Sequence, residues 1–220
     1  AKKGKFKDVR PDDLGAIALK NLVERTGINT EEIDDVILGC AFPEGEQGMN
    51  MARVIAMKAG LPITVPAQTI NRFCSSGLQT IAMAAAQVMI GSADCIIAGG
   101  VESMSCVPMG GNKYSANPGL VSEWPESYAS MGTTAEMVAE KYDIKREDMD
   151  TFAYNSHLKA TKAIETGNFE AEIIPVEIEK VWLEKEKVKK KKETVTIDDG
   201  VRTDTTIEGL SKLRPVFNVK

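Results

Sequence analysis

The chain has 220 residues, 43% of them hydrophobic, and a formal net charge of −5 at pH 7. A chain of this length and apolar content can bury a sizeable core, as one large domain or two small ones. The negative charge argues against a nucleic-acid partner, because a nucleic-acid-binding surface is basic. The longest apolar run, from Ile81 to Ile90, is interrupted by Gln87 and is shorter than the roughly 20 residues that span a bilayer. We therefore expect a globular protein without a membrane segment.

The four cysteines stand at positions 40, 74, 95 and 106. Their spacing lacks the close pairs of a zinc site, so no metal is expected. The N-terminus is basic and polar, with no apolar segment behind it that would indicate a signal peptide. Reduced thiols in a cytoplasmic compartment are the simpler interpretation.

The first part of the chain alternates helical and extended patterns, which is typical of an α/β domain. Helices are predicted from the 3.6-residue spacing of apolar positions, and strands from short buried runs. In chain order we expect a helix from Pro11 ended by Gly27, a strand over Asp35–Cys40, a helix over Asn50–Ala59, a strand over Val65–Ile70, a helix over Ser75–Ile90 and a strand over Asp94–Val101. A right-handed parallel crossover is the default for a strand, helix and strand in this order.

The pattern changes after Met104. Prolines and glycines between positions 105 and 127 indicate an irregular segment. A helix is then predicted over Thr133–Tyr142, capped by Thr133 or Thr134, and a second over Lys145–Thr166, ended by a glycine.

An extended pattern follows, which predicts a β-hairpin with strands near 172–178 and 194–197. The segment between them, Glu184 to Glu193, holds six lysines. We interpret it as a solvated hairpin tip rather than a phosphate-binding patch, because charge runs are more often solvated surface than a site.

Cys74 is the strongest candidate for a catalytic residue, because it stands where a strand turns into a helix. The partial charge at a helix N-terminus stabilises an anion by only ~0.3–1 kcal/mol, so a nucleophilic thiol also needs a base. The single histidine, His157, lies in a polar helix and is interpreted as an exposed helix residue. Cys40 and Cys95 are interpreted as small core residues.

The segment from Ile70 to Val88, with Cys74 followed by Ser-Ser-Gly-Leu, closely resembles the acyl-enzyme signature of the thiolases, which are CoA-dependent acyltransferases. Further similar segments follow along the chain. They are Ala98–Ser105, Met131–Glu136, Asp198–Arg202 and Lys212–Phe217.

This resemblance implies a thiolase-like layered αβα fold with an inserted α+β loop domain. Residues 1–104 correspond to the N-terminal catalytic domain without its first strand, and residues 105–220 to the loop domain that covers the CoA site. The second thiolase half, with its Gly-His-Pro and Cys-x-Gly-Gly-Gly-x-Gly motifs, has no counterpart among the 220 residues. By the same resemblance Cys74 carries the acyl group, Arg202 lies near the CoA nucleotide and Met131 lies near the pantetheine and acyl channel.

The activity implied is thiolytic cleavage of a 3-ketoacyl-CoA to acetyl-CoA and a shortened acyl-CoA, as in β-oxidation, or the reverse condensation. CoA is then a substrate, no prosthetic group is expected, and a homodimer or homotetramer is expected. Ser130 stands where biosynthetic thiolases commonly carry histidine, which favours the degradative acyltransferase over the acetyltransferase. Two alternatives stay open: a decarboxylating β-ketoacyl synthase, and a non-catalytic acyl-CoA or lipid-binding protein of thiolase ancestry.

Overall fold

The computed structural model describes residues 4–217. They form two compact units, one of residues 4–114 with 174–197 and the other of residues 115–173 with 198–217. The predicted domain boundary at residue 104 divides the chain differently, because the hairpin after residue 174 groups with the first unit.

The first unit contains a parallel sheet of three strands, which confirms the α/β class. Its elements are helix α1 (Pro11–Thr26), strand β1 (Asp35–Gly39), helix α2 (Met51–Lys58), strand β2 (Ala67–Ile70), helix α3 (Ser76–Met89) and strand β3 (Ile96–Gly100). The strand order is β2-β1-β3, and both neighbours pair with β1 in parallel. All three strands therefore end at the same edge of the sheet.

Helices cover both faces of this sheet. Val36 and Leu38 on β1 pack with Leu19 of α1 and Ile55 of α2 in one buried cluster. Ile37, between them, is also fully buried and points to the opposite face, because successive side chains of a strand alternate. Helix α3 contacts β1 and β3, and it covers that opposite face.

The helix ends follow ordinary capping chemistry. Gly27 ends α1 with a left-handed φ of 66°, as predicted, because this conformation is easiest without a side chain. Asn50 caps α2 by accepting a hydrogen bond from the Arg53 amide at 3.3 Å.

The first unit also contains an antiparallel hairpin of β4 (Val176–Glu184) and β5 (Lys187–Val195). Only Lys185 and Glu186 form its tip, both at positive φ, so the predicted tip over Glu184–Glu193 was wrong. Most of the lysine run lies within β5. Opposite charges meet across the strands, since Lys190 pairs with Glu179 at 2.9 Å and glutamates therefore balance part of the lysine run.

The second unit is helical. It contains α4 (Pro118–Glu123), α5 (Met131–Lys141), α6 (Arg146–Glu165) and α7 (Ile207–Ser211). The Ser130 hydroxyl caps α5 by accepting from the Thr133 amide at 3.2 Å. The predicted cap at Thr133 or Thr134 was therefore wrong, and the helix begins two residues earlier.

Arg146 ties α6 to the segment around α7. Its guanidinium donates to the Leu210 and Leu213 carbonyls at 2.7 and 2.9 Å. It also pairs at 2.9 Å with Asp150, which is buried. Across residues 4–217, no helix is both long enough and apolar enough to cross a membrane.

Candidate active site

Cys74 lies in a single 3-10 turn, Phe73–Ser75, between the end of β2 and the start of α3. This is the strand-to-helix position that the sequence predicted. The residue is exposed. The turn stands at the edge where all three parallel strands end, which is the edge where α/β proteins place their ligands.

The residue before the nucleophile candidate has a strained backbone. Phe73 has φ +45°, in the left-handed region that costs an L-residue with a side chain roughly 1–2 kcal/mol. Two polar side chains hold it there. Asn71 Oδ1 accepts from the Phe73 amide at 2.9 Å, and the Ser76 hydroxyl donates to the Phe73 carbonyl at 2.6 Å.

Ser76 fixes the start of this turn. Its Oγ also accepts from the Arg72 amide at 2.8 Å, and the side chain is buried. One hydroxyl thus satisfies a donor and an acceptor on the two residues that precede Cys74. Backbone strain over-determined in this way is typical of functional turns.

The first turn of α3 lies directly on the sheet. Gly77 lies in van der Waals range of β3, since a Cβ on Gly100 would stand 3.5 Å from the Gly77 Cα. Thr80, which is fully buried, places its hydroxyl 2.8 Å from both the Gly77 and the Gly99 carbonyls. These contacts fix the position of the turn that carries Cys74.

A buried polar group lies beneath this edge. Gln47 is 0% exposed, and its amide donates to the Phe42 carbonyl at 2.9 Å and to Glu102 Oε1 at 2.6 Å. The Ser103 amide donates back to Gln47 Oε1. Neither Gln47 nor Glu102 was singled out as a site residue from the sequence, although Glu102 belongs to a segment that carried the family resemblance.

Cys40 is the second cysteine at this edge of the sheet. Unlike the exposed Cys74, it is buried. It is 1% exposed. Burial, and then the negative charge of Glu102, raises the pKa of Cys40 to about 11. It is therefore held as a thiol at neutral pH, in agreement with the core role predicted for it.

The remaining cysteines are structural. Cys95 packs against the main hydrophobic cluster as predicted, and burial raises the pKa of its thiol. Cys106 donates from Sγ to the Val9 carbonyl at 3.7 Å, a partner that the sequence did not reveal. Within residues 4–217, no group of three His, Cys, Asp or Glu side chains is arranged to hold a metal ion.

The other two predicted site residues lie in the second unit. Met131 opens α5 and is 64% exposed. Arg202 is exposed, and it lines a shallow cleft with Thr205, Gly209 and other residues up to Leu213. Met131 is not among the residues that line this cleft.

His157 has a structural role beside Arg202. The Arg202 backbone amide donates to His157 Nδ1 at 3.2 Å, so Nδ1 acts as an acceptor. The side chain is half-buried rather than exposed as predicted, because α6 packs it against the segment that contains Arg202.

The whole chain, residues 1–220, matches the family described as thiolase, N-terminal domain. It is 54% identical to the 3-ketoacyl-CoA thiolase of Bacillus subtilis (strain 168), over all of this chain and 56% of that protein. It is 42% identical to 3-ketoacyl-CoA thiolase 1, peroxisomal, of Arabidopsis thaliana, over 99% of this chain and 49% of that protein. The chain spans about half the length of these relatives.

A solved structure gives the same result for the fold. The crystal structure of the Bacillus anthracis acetyl-CoA acetyltransferase matches with a TM-score of 0.80 and 36% sequence identity, over 97% of this chain and 55% of that one. The strand–cysteine–helix turn is thus part of a chain whose full length matches one family, and the protein belongs to the thiolase family through its N-terminal domain.

Proposed function

We propose that this chain is the nucleophile-bearing part of a CoA-dependent acyltransferase and that Cys74 carries the acyl group. The observation that carries the proposal is the exposed Cys74 on a turn held in strained geometry. The other cysteines are half-buried or, for Cys40, buried with a raised pKa. The names of the relatives support the acyl-CoA chemistry.

The reaction proposed is thiolytic cleavage. The Cys74 thiolate attacks the 3-keto carbon of a 3-ketoacyl-CoA, the bond between carbons 2 and 3 breaks, and carbon 2 takes the electron pair and a proton to leave as acetyl-CoA. The thiol of a second CoA, after losing its proton, attacks the acyl-Cys74 thioester and releases a shortened acyl-CoA and the free thiolate. We assign these proton transfers to the histidine of the family's Gly-His-Pro motif and the cysteine of its Cys-x-Gly-Gly-Gly-x-Gly motif.

The degradative direction is proposed over acetoacetyl-CoA synthesis on the residue before Met131. That residue is Ser130, whose hydroxyl accepts from the Thr133 amide and approaches the Thr133 hydroxyl at 2.9 Å. Ser130 thus caps α5 and provides no imidazole, whereas biosynthetic thiolases commonly carry a histidine at this position.

The CoA contacts proposed are Arg202, for the nucleotide end, and Met131, for the pantetheine and acyl channel. The exposed Arg202 guanidinium suits an anionic partner, and the exposed Met131 side chain suits an apolar chain. Residues 105–220 are proposed as the loop domain that covers CoA. We further propose a cytoplasmic homodimer or homotetramer that takes CoA as substrate and holds no prosthetic group.

The test is trapping of the acyl-enzyme. The full-length polypeptide that carries this sequence is incubated with a 3-ketoacyl-CoA, quenched in acid and mapped by peptide mass. We expect one acyl group, on Cys74, and none in Cys74→Ser. The matched control Cys106→Ser is expected to keep the adduct. Cys106 lies outside the Phe73–Ser75 turn, and its thiol is hydrogen-bonded to the Val9 carbonyl.

The outcome decides between an enzyme and a binding protein. An acyl group on another residue, or one that survives in Cys74→Ser, contradicts the nucleophile assignment. Tight binding of acyl-CoA with no adduct in the unaltered protein supports the non-catalytic alternative.

A second experiment addresses the CoA contact. Arg202→Gln is expected to raise KM for CoA with little change in kcat, because a contact made equally in the ground and transition states affects binding alone. Arg214→Gln is the control, an exposed arginine of the same unit. An equal KM for CoA in Arg202→Gln and Arg214→Gln would contradict the proposed contact between Arg202 and CoA.

A further inference from the structure

Glu102, two residues beyond β3, receives hydrogen bonds on both carboxylate oxygens. Its Oε2 accepts from the Ala41 backbone amide at 2.6 Å. Its Oε1 accepts from the Gln47 side-chain amide at 2.6 Å and from the Cys40 thiol at 3.9 Å. All three partners are donors, so the position calls for a group that only accepts.

The backbone of Ala41 connects this carboxylate to the nucleophile turn, through its N–H on one side and its carbonyl on the other. The carbonyl of Ala41 accepts from Asn71 Nδ2 at 2.9 Å. The other end of the same amide, Oδ1, accepts from the Phe73 amide at 2.9 Å. A continuous series of hydrogen bonds therefore runs from Glu102 through Ala41 and Asn71 to Phe73, the strained residue next to Cys74.

We propose that Glu102 is a positioning residue for Cys74, acting through this hydrogen-bonded series. The proposal rests on the proposed function, in which Cys74 is the nucleophile. The carboxylate holds the backbone N–H of Ala41, which restricts the backbone of that residue. The Ala41 carbonyl, in the next peptide group, fixes which way the Asn71 amide points, and Asn71 holds Phe73 in its left-handed conformation.

The charge of Glu102 matters in this arrangement. Glutamine at this position has one acceptor and one NH2 group, so it satisfies Ala41 or Gln47 but turns a donor towards the other. Gln47 is fully buried and already engaged with Phe42 and Ser103, so it has little freedom to rotate away. Glu102→Gln is therefore expected to weaken the series while changing the side-chain volume very little.

The first readout is hydrogen exchange at the Phe73 amide in the full-length polypeptide that carries this chain. Loss of a charge-assisted hydrogen bond is expected to speed its exchange about tenfold in Glu102→Gln, and more in Glu102→Ala. Glu31→Gln is the matched control, the same chemical change at an exposed glutamate of the same unit, and it leaves Phe73 exchange unchanged.

The second readout separates positioning from general destabilisation. Asn71→Asp keeps the acceptor for the Phe73 amide but loses the donor to the Ala41 carbonyl, which breaks the series at a different bond. If the bonds act in series, adding Glu102→Gln to Asn71→Asp causes little further increase in Phe73 exchange. Additive effects of the two changes contradict the proposal.

The third readout is catalytic. Glu102→Gln is expected to lower kcat about tenfold, with KM for acyl-CoA within twofold of the unaltered protein, because Glu102 acts on the nucleophile turn rather than on bound substrate. An unchanged kcat, or unchanged Phe73 exchange, overturns the positioning role.

Failure of the proposed function is distinguishable from failure of this inference. If the unaltered protein forms no acyl-Cys74, the proposed function is wrong, but the exchange measurements still report whether Glu102 holds the turn. If acyl-Cys74 forms and Glu102→Gln behaves like Glu31→Gln, the function stands and the role of Glu102 does not.

Discussion

Gly39, the last residue of β1, lies so close to Ser76 that a Cβ on Gly39 would stand 2.7 Å from the Ser76 Cβ and 2.6 Å from the Ser76 carbonyl carbon. It would also stand 2.8 Å from the backbone nitrogen of Gly77. These atoms belong to the first turn of α3 and cannot rotate aside as the end of a flexible side chain would. The absence of a side chain at Gly39 thus allows the turn after Cys74 to rest on the sheet.

Gly39→Ala is therefore expected to push this turn away from β1. Overpacking of this kind costs about 1–3 kcal/mol of unfolding free energy. Because the displaced atoms directly follow Cys74, acyl-Cys74 formation falls as well. Urea unfolding and the acyl-enzyme assay measure the two effects.

Gly99→Ala is the matched control, since a Cβ there would meet the flexible Leu38 side chain at an ordinary 3.5 Å. Equal losses of stability in the two variants would contradict the close approach at Gly39.

Thr80→Val is expected to destabilise the protein by about 1–2 kcal/mol, because it removes a buried hydroxyl that two partly buried carbonyls share while keeping the side-chain shape. The affected carbonyls are those of Gly77 and Gly99. Thr26→Val is the control. The Thr26 hydroxyl bonds to the Leu22 carbonyl on an exposed helix end, where a change within about 0.5 kcal/mol is expected. Urea titration gives both values, and an equally small effect at Thr80 would contradict its role.

The location of Cys74 was predictable from the sequence because local pattern determines it. A short extended run before it and an apolar helical run after it place the turn within one residue of where the structure has it. The hairpin was less predictable. The consecutive lysines resemble a solvated tip, but their stabilising partners lie on the opposite strand, as in the pair of Lys190 with Glu179.

The geometry around Cys74 was not predictable from local pattern. The positive φ of Phe73 depends on Asn71, whose amide is oriented by the carbonyl of Ala41, 30 residues earlier in the chain. Glu102 joins the same network from 61 residues beyond Ala41. No periodicity in the sequence encodes such contacts, because they arise only when the ends of parallel strands meet.

The cysteines are expected to differ sharply in alkylation. At pH 8 a thiol with a pKa of about 11 is ionised in only about one molecule in a thousand, and Cys40 combines such a pKa with burial. Iodoacetamide should therefore modify the exposed Cys74 first and leave Cys40 unmodified until the protein is unfolded. Peptide mapping over time measures this order.

Cys74→Ser serves as the control for that experiment. It should remove the fast modification and leave Cys40 protected in the folded state. Modification of Cys40 at the rate of Cys74 in native protein would contradict the burial of Cys40.

Asp34 is expected to contribute to acid sensitivity. Its Oδ2 accepts from the Cys95 amide at 3.0 Å and from the Asp94 amide at 2.7 Å, and these bonds, that from Cys95 foremost, lower the pKa of the carboxyl. The folded state thus favours the ionised form. The resulting stability is fully present above the pKa that the group has when unfolded, and it is lost as the pH falls through the lower folded pKa.

Asp34→Asn removes this titration, so the loss of stability below about pH 4 should be less steep than in the unaltered protein. Urea unfolding at several pH values between about 3 and 7 measures the slope. Asp8→Asn is the control, an exposed carboxylate paired with Lys7, and it should leave the acid limb nearly unchanged because exposed ion pairs contribute little. If Asp34→Asn gives the same acid limb as Asp8→Asn, the two backbone amides do not stabilise the Asp34 carboxylate in solution.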